Sequence, residues 1–246
     1  MSDSYIFGRN AVLEAISAGR SIEKLYVLKG SRTGSMPAIL NAAQKAGIQI
    51  SETDRSRLDE MTSENHQGVI AAVSAASYTE VSDILKRAEE AGEPPFLLIC
   101  ESIQDPHNLG AMIRTAEACG VHGIVISKHH AVGLSDAVAK TAAGALEYMP
   151  VAKVSSIPKL IDQLKKEGIW TACADMDGDN IYRTDLTGPM ALVIGGEHEG
   201  ITRLVKEKCD FTVSIPMRGT VNSLNASVAA GVLMYEIARQ RDLKKR

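Results

Sequence analysis

The sequence has no paired-cysteine spacing, no metal-ligand spacing among its histidines, no apolar run of membrane-spanning length and no large excess of charge. Each absence removes a class of protein. The four cysteines, Cys100, Cys119, Cys173 and Cys209, lie far apart, and none stands in a C-x-x-C pair. Zinc-ribbon and dithiol redox motifs are therefore excluded. Each cysteine sits in or beside an apolar run, which fits buried, reduced thiols in a cytosolic protein. The histidines show no H-E-x-x-H or related spacing, and the adjacent pair His129 and His130 reads as loop, so no metal is expected. The lack of a long apolar run argues against a transmembrane helix. Residues 1–5 lack the basic flank and apolar stretch of a signal peptide, so the expected location is cytoplasmic. A formal net charge of -3 argues against a protein that coats nucleic acid non-specifically. It leaves room for local basic patches. Arg239, Arg241, Lys244, Lys245 and Arg246 form one, readable as an RNA contact or as cations favouring a helix C-terminus.

What is present is an ordinary globular composition, with 45% hydrophobic and 23% charged residues. A length of 246 residues suits one large domain or two modest ones. Residues 1–74 read as a small α/β unit. Asn10 is placed to cap a helix over 11–16, and helices over 36–46 and 55–61 alternate with strands over 25–28, 48–50 and 68–73. Residues 75–95 contain small residues, a charged amphipathic helix and Gly92-Glu93-Pro94-Pro95, and are expected to form a linker. From Phe96 to the C-terminus apolar strands alternate with helices. The pattern predicts a mostly parallel sheet with helices on both faces over residues 96–246.

Ligands of such sheets bind in loops at the carboxyl ends of strands. Three loops carry suitable chemistry. The first follows strand 96–100 and runs Asp105-Pro106-His107-Asn108, with Arg114 within two turns; Asn108 reads as an N-cap, and it and Arg114 could both face the sheet end. Read alone, it could equally be a capped helix with a surface arginine. The second follows strand 190–194 and holds Gly195, Gly196, Glu197, His198, Glu199 and Gly200. Glycines here allow a ligand to approach the backbone. The dinucleotide and P-loop patterns are absent, and two carboxylates disfavour a triphosphate. The alternative is a tight turn before a helix. The third follows strand 211–215 and includes Met217, Ser223, Leu224 and Asn225 before a helix rich in small residues.

Taken together and in this order, the segments 108–116, 195–200 and 215–229 resemble the three motifs of the SpoU (TrmH) family of the SPOUT superfamily of methyltransferases. Residues 7–12 and 66–69 resemble the small RNA-recognition domain of the subgroup that methylates a guanosine of 23S ribosomal RNA. Residues 128–131, Lys-His-His-Ala, depart from the arginine-containing loop of many relatives. The resemblance implies an RNA 2′-O-ribose methyltransferase that uses S-adenosylmethionine, folded with a C-terminal trefoil knot and working as a homodimer. It implies that Gly195, Gly196, Ile215 and Leu224 contact the cofactor, helped by Thr171, Ala172 and Met217. Arg114 would be the main catalytic residue, Asn108 would orient it or the ribose, and Glu197, Ser223 and Asn225 would position loops or substrate. The other readings are a family member acting on transfer RNA and a noncatalytic RNA-binding or ribosome-assembly protein.

Overall fold

The computed structural model describes residues 5–197 and 200–244. The chain divides into two compact units. The first comprises residues up to Ser77 together with Gly133–Asp136, and the second comprises Tyr78–Val132 and Ala137–Arg246.

The first unit is built on strands β1 (Tyr5–Phe7), β2 (Ile22–Leu28), β3 (Gln49–Thr53) and β4 (Val69–Val73), ordered β1-β4-β2-β3. β4 runs antiparallel to both neighbours, and β3 runs parallel to β2. Alternation along β2 sends Leu25 and Val27 to one face and Lys24 and Tyr26 to the other. The first face meets α1 (Arg9–Ser17) and α2 (Met36–Lys45) in a core of Val12, Ile16, Leu25, Val27, Met36, Ile39, Val69 and Ala71. α3 (Arg55–Met61) buries Leu58 and lies against β2. α1 is preceded by Gly8 at φ 87, with Asn10 inside its first turn, so Asn10 is not the cap expected from the sequence.

The second unit holds β5 (Phe96–Glu101), β6 (Gly123–Ser127), β7 (Val151–Val154), β8 (Trp170–Asn180), β9 (Met190–Gly195) and β10 (Phe211–Ser214). They form one sheet in the order β10-β8-β9-β5-β6-β7, with every neighbouring pair parallel. Parallel strands are covered on both faces, which is why β5 reads as an unbroken apolar run and is buried along its whole length. Helices α4 (Val81–Glu90), α5 (Pro106–Ala118), α6 (Asp136–Ala142), α7 (Ile157–Lys166), α8 (Arg203–Lys208) and α9 (Ala226–Lys244) complete the described chain.

One boundary differs from expectation for a physical reason. The helix expected within the 75–95 linker is α4, and it packs into the second unit, with Val81 and Ile84 buried among Leu97, Ile99, Ile161 and Leu164. Each such side chain contributes roughly 1.5–3 kcal/mol of burial, so from Tyr78 on this stretch belongs to the second unit. β8 runs past its apolar start to Asn180, because β10 keeps pairing with it across a register shift between Thr212 and Val213. The four cysteines are free thiols. Cys100 and Cys173 are buried, and Cys119 and Cys209 partly so. Burial pushes the Cys100 thiol up to about 12, which keeps it protonated and inert.

Candidate active site

The carboxyl ends of β5, β9 and β10 lie on one edge of the parallel sheet, and the loops that follow them meet there. α5 begins at Pro106 after Asp105, whose side chain accepts a hydrogen bond from the His107 N–H at 2.9 Å. Asp105 is therefore the cap, a role the sequence reading gave to Asn108. Asn108 lies inside the first turn and is buried, which frees its amide to point away from the helix backbone.

That amide meets the other two loops. Asn108 Nδ2 donates to Glu197 Oε1 at 2.5 Å, and Asn225 Nδ2 donates to the same oxygen at 2.8 Å. Asn225 Nδ2 also reaches Asn108 Oδ1 at 3.1 Å. Two amide donors on one carboxylate oxygen fix that carboxylate, since hydrogen bonds to a charged acceptor are the stronger kind. Asn225 has a second task. Its Oδ1 accepts from the Ser227 N–H at 2.9 Å and the Val228 N–H at 3.3 Å, so it caps α9 while its other atom ties the loops together.

The second loop is folded back on itself. A Cβ on Gly195 would lie 2.2 Å from Gly200 C and 2.4 Å from Ile201 N, so only glycine fits. Gly200, at φ 63, donates its N–H to Gly196 O at 2.9 Å. A Cβ on Gly196 would lie 2.3 Å from Ser102 O. At the far foot of the loop the Glu101 carboxylate accepts from the Thr202 N–H at 3.0 Å and the Thr202 hydroxyl at 2.7 Å. Burial pushes the Glu101 carboxyl up from its ordinary value, and the two Thr202 bonds oppose that shift.

Between these loops lies a cavity of about 600 Å³, within the usual range for small-molecule sites. Its wall takes Gly195, Gly196 and Glu197 from the second loop and Ile215, Met217, Ser223, Leu224 and Asn225 from the third. β8 adds Ala174, Asp175 and Met176. Thr171 and Ala172 do not line it. They are fully buried further back in β8, where the Thr171 N–H and hydroxyl both donate to Asp210 at 2.8 Å. Asp175 and the Glu101–Thr202 clasp carry no signature in the sequence, because the run after Cys173 reads as the end of a strand and Glu101 as its last residue. Burial works to raise the Asp175 carboxyl, but the Lys206 ammonium at 2.9 Å and the Asp177 N–H outweigh it and hold it below its ordinary value. Arg114 is exposed on α5 and does not belong to the cavity wall. It stands about 9 Å along the helix axis from Asn108. His198 and Glu199 lie outside the described residues. Among the described residues no group of three or more His, Cys, Asp or Glu is placed to hold a metal ion, and no helix is long and apolar enough to cross a membrane.

The wall combines aliphatic side chains with exposed backbone and two carboxylates, Asp175 and Glu197. That chemistry fits a nucleoside ligand bearing hydroxyls and a positive charge, such as S-adenosylmethionine. An all-parallel sheet with such a cavity at its carboxyl edge defines a ligand-binding α/β protein.

Known proteins narrow this class. Residues 95–235 match the profile of the SpoU rRNA methylase family, and residues 5–79 match that described as RNA 2′-O ribose methyltransferase substrate binding. YacO of Bacillus subtilis, named for the TrmH family of tRNA/rRNA methyltransferases, is 47% identical over 239 residues, covering 97% of this chain and 96% of its own. The crystal structure of the SpoU methyltransferase AviRb from Streptomyces viridochromogenes, in complex with AdoMet, superposes with a TM-score of 0.62 at 25% identity, over 97% of this chain and 90% of that one. The TrmH/SpoU tRNA modifying enzyme of A. aeolicus gives a TM-score of 0.57 at 27% identity, over 67% of this chain and 85% of its own. The chain belongs to the SpoU rRNA methylase family, and so is an S-adenosylmethionine-dependent RNA methyltransferase.

Proposed function

We propose that the chain methylates a ribose 2′-OH of a guanosine in 23S ribosomal RNA, acting as a homodimer in the cytoplasm. The observation that carries the reading is the meeting of Asn108, Glu197 and Asn225 on one carboxylate beside the cavity. Three segments far apart in sequence supply these groups.

Gly195, Gly196, Ile215, Met217 and Leu224 hold the cofactor, largely through backbone groups. Thr171 and Ala172 support this wall from behind. S-adenosylmethionine supplies a methyl group already activated on a sulfonium. The work left to the protein is to hold the ribose in line and favour the oxyanion that develops on its 2′-oxygen. Asn108 and Asn225 fix the Glu197 carboxylate, and Ser223 helps position the substrate. Arg114 brings a guanidinium, a rigid fork of N–H donors with no acceptor, and so serves as a donor and not as a base. Its role is to bind the neighbouring phosphate and stabilise the developing negative charge.

Arg114 is exposed and lies outside the cavity wall of its own chain, which suits a site completed by a second copy. The exposed side chains of Val221, Leu224 and Val228 around the start of α9, and of Tyr235 midway along it, suit the same arrangement. The hydrogen bond from Asn225 to Glu197 ties the third loop to the second, as a C-terminal trefoil knot would require. The match of residues 5–79 to a substrate-binding profile supports RNA as the partner of the first unit.

The test is Arg114→Ala. It keeps affinity for S-adenosylhomocysteine by calorimetry and loses turnover on RNA. Undiminished turnover would remove Arg114 from the reaction. Mapping 2′-O-methyl groups in ribosomal and transfer RNA, with and without the gene, decides the substrate.

A further inference from the structure

The chain is poor in aromatic residues, with one Trp, six Tyr and three Phe. The first 77 residues contain three of them, Tyr5, Phe7 and Tyr26. Large aromatic side chains ordinarily dominate a core. Here the core of the first unit is aliphatic, and none of the three belongs to it.

Strand register places all three on the opposite face of the sheet. Tyr5 pairs with Ala72, which pairs with Lys24, and Phe7 pairs with Ile70, which pairs with Tyr26. Cross-strand partners share a face, and so do residues two apart on one strand. Tyr5, Phe7, Lys24 and Tyr26 therefore frame a patch about 10 Å by 7 Å. All four are partly exposed, while Ile70 between Phe7 and Tyr26 is fully buried. The Lys24 ammonium lies 5.3 Å from the Tyr26 ring centroid and has no ion pair among the described residues. Neither the Tyr5 nor the Tyr26 hydroxyl has a hydrogen-bond partner among the described residues. Burial raises the Tyr26 hydroxyl above its ordinary value, with Tyr5 adding to the shift and Arg57 opposing it. Arg57 in turn pairs with Glu60 at 3.0 Å.

We infer that this face of the four-stranded sheet, framed by Tyr5, Phe7, Lys24 and Tyr26, is a stacking platform for unpaired bases of the RNA substrate. The inference rests on the reading of the chain as an RNA methyltransferase and adds where and how the RNA is gripped. Bases of any identity stack on aromatic rings, so the platform tolerates sequence. Lys24, over the Tyr26 ring, supplies positive charge for the adjoining phosphates. Free hydroxyls on Tyr5 and Tyr26 can bond to base edges or to a 2′-OH. A duplex keeps its bases stacked on one another and cannot use such a surface, so the partner is single-stranded.

The experiment uses the full chain and a fluorescent single-stranded RNA of about ten nucleotides, read by anisotropy across a salt series. Tyr5→Leu and Tyr26→Leu each keep apolar bulk and lose the ring, and each is expected to weaken binding about tenfold. Tyr26→Phe, which keeps the ring, stays within about threefold of the parent and guards against misfolding. Lys24→Ala is expected to reduce the slope of log affinity against log salt by about one. S-adenosylhomocysteine affinity is unchanged in all four. Leucine variants that bind the RNA like the parent overturn the platform, as does a parent that prefers the matching duplex. A parent that binds S-adenosylhomocysteine but no single-stranded RNA also overturns it and leaves the methyltransferase reading standing. A parent that binds the RNA through the tyrosines but no S-adenosylhomocysteine would sink that reading instead.

Discussion

Glu101 offers a sharp test of how the cofactor loop is held. Its carboxylate ends β5, is 6% exposed, and accepts both the N–H and the hydroxyl of Thr202. Ser102, the next residue, touches Gly196 at the other foot of the same loop. Glu101→Ala removes two hydrogen bonds to a charged acceptor, each worth roughly 1.5–3 kcal/mol. Water recovers part of this. If about 1.5 kcal/mol of loop docking is lost, apparent affinity for S-adenosylhomocysteine falls roughly tenfold. Glu101→Gln keeps the shape: its carbonyl accepts from the N–H and its amide donates to a rotated hydroxyl. It should bind within about threefold of the parent. The two variants also separate by pH. Burial holds the Glu101 carboxyl above its unfolded value. The native state therefore keeps its proton longer, and stability from this group is lost as pH rises through the raised value. Glu101→Gln escapes that loss, so its melting temperature should gain on the parent as pH rises above the ordinary carboxylate range. Calorimetric titration and scanning calorimetry read the two effects. An alanine variant that binds as tightly as the parent would refute the clasp, and a pH-independent gap in melting temperature would refute the buried-charge argument.

Gly195→Ala places a methyl group against the backbone of Gly200 and Ile201, which cannot rotate aside. Affinity for S-adenosylhomocysteine should fall by more than about tenfold, because a backbone this close to a ligand has no room to shift; calorimetry checks it. Arg241→Met removes hydrogen bonds to the carbonyls of Pro94, Pro95 and Gly188, at 2.9, 2.8 and 2.7 Å, and a guanidinium 4.7 Å from the Phe96 ring centroid. A cost of about 2–3 kcal/mol should lower the melting temperature by roughly 5–10 °C while leaving cofactor affinity intact.

Much of the second unit was legible because its strands are buried on both faces. Residues 96–100 and 190–194 read as unbroken apolar runs, and they are central neighbours in the sheet. The site was legible where a residue type is forced. Gly195 and Gly196 are required by backbone contact, and Asn225 caps a helix and ties two loops. Asn108 reads locally as the cap of α5, and there the structure corrects the sequence. Asp105, three residues earlier, takes the cap, and only the fold reveals what the freed amide does. The extension of β8 was hidden, because Asp175, Asp177 and Asp179 look like loop until β10 pairs with them. Glu101 was hidden for a related reason. A carboxylate at a strand end is unremarkable until Thr202, a hundred residues later, folds back onto it.

The order of the second sheet has a consequence for biosynthesis. β5 finds β6 on one side within a short stretch of chain, but its other neighbour begins at Met190, opposite Phe96. At translation rates of about 5–20 residues per second, the intervening chain takes on the order of ten seconds to emerge. For that interval a strand greasy on both sides has one bare flank, the kind of edge that recruits strangers. The nascent polypeptide must therefore shelter β5 until its last partner leaves the ribosome, and a pause in elongation before Met190 should raise the share that aggregates.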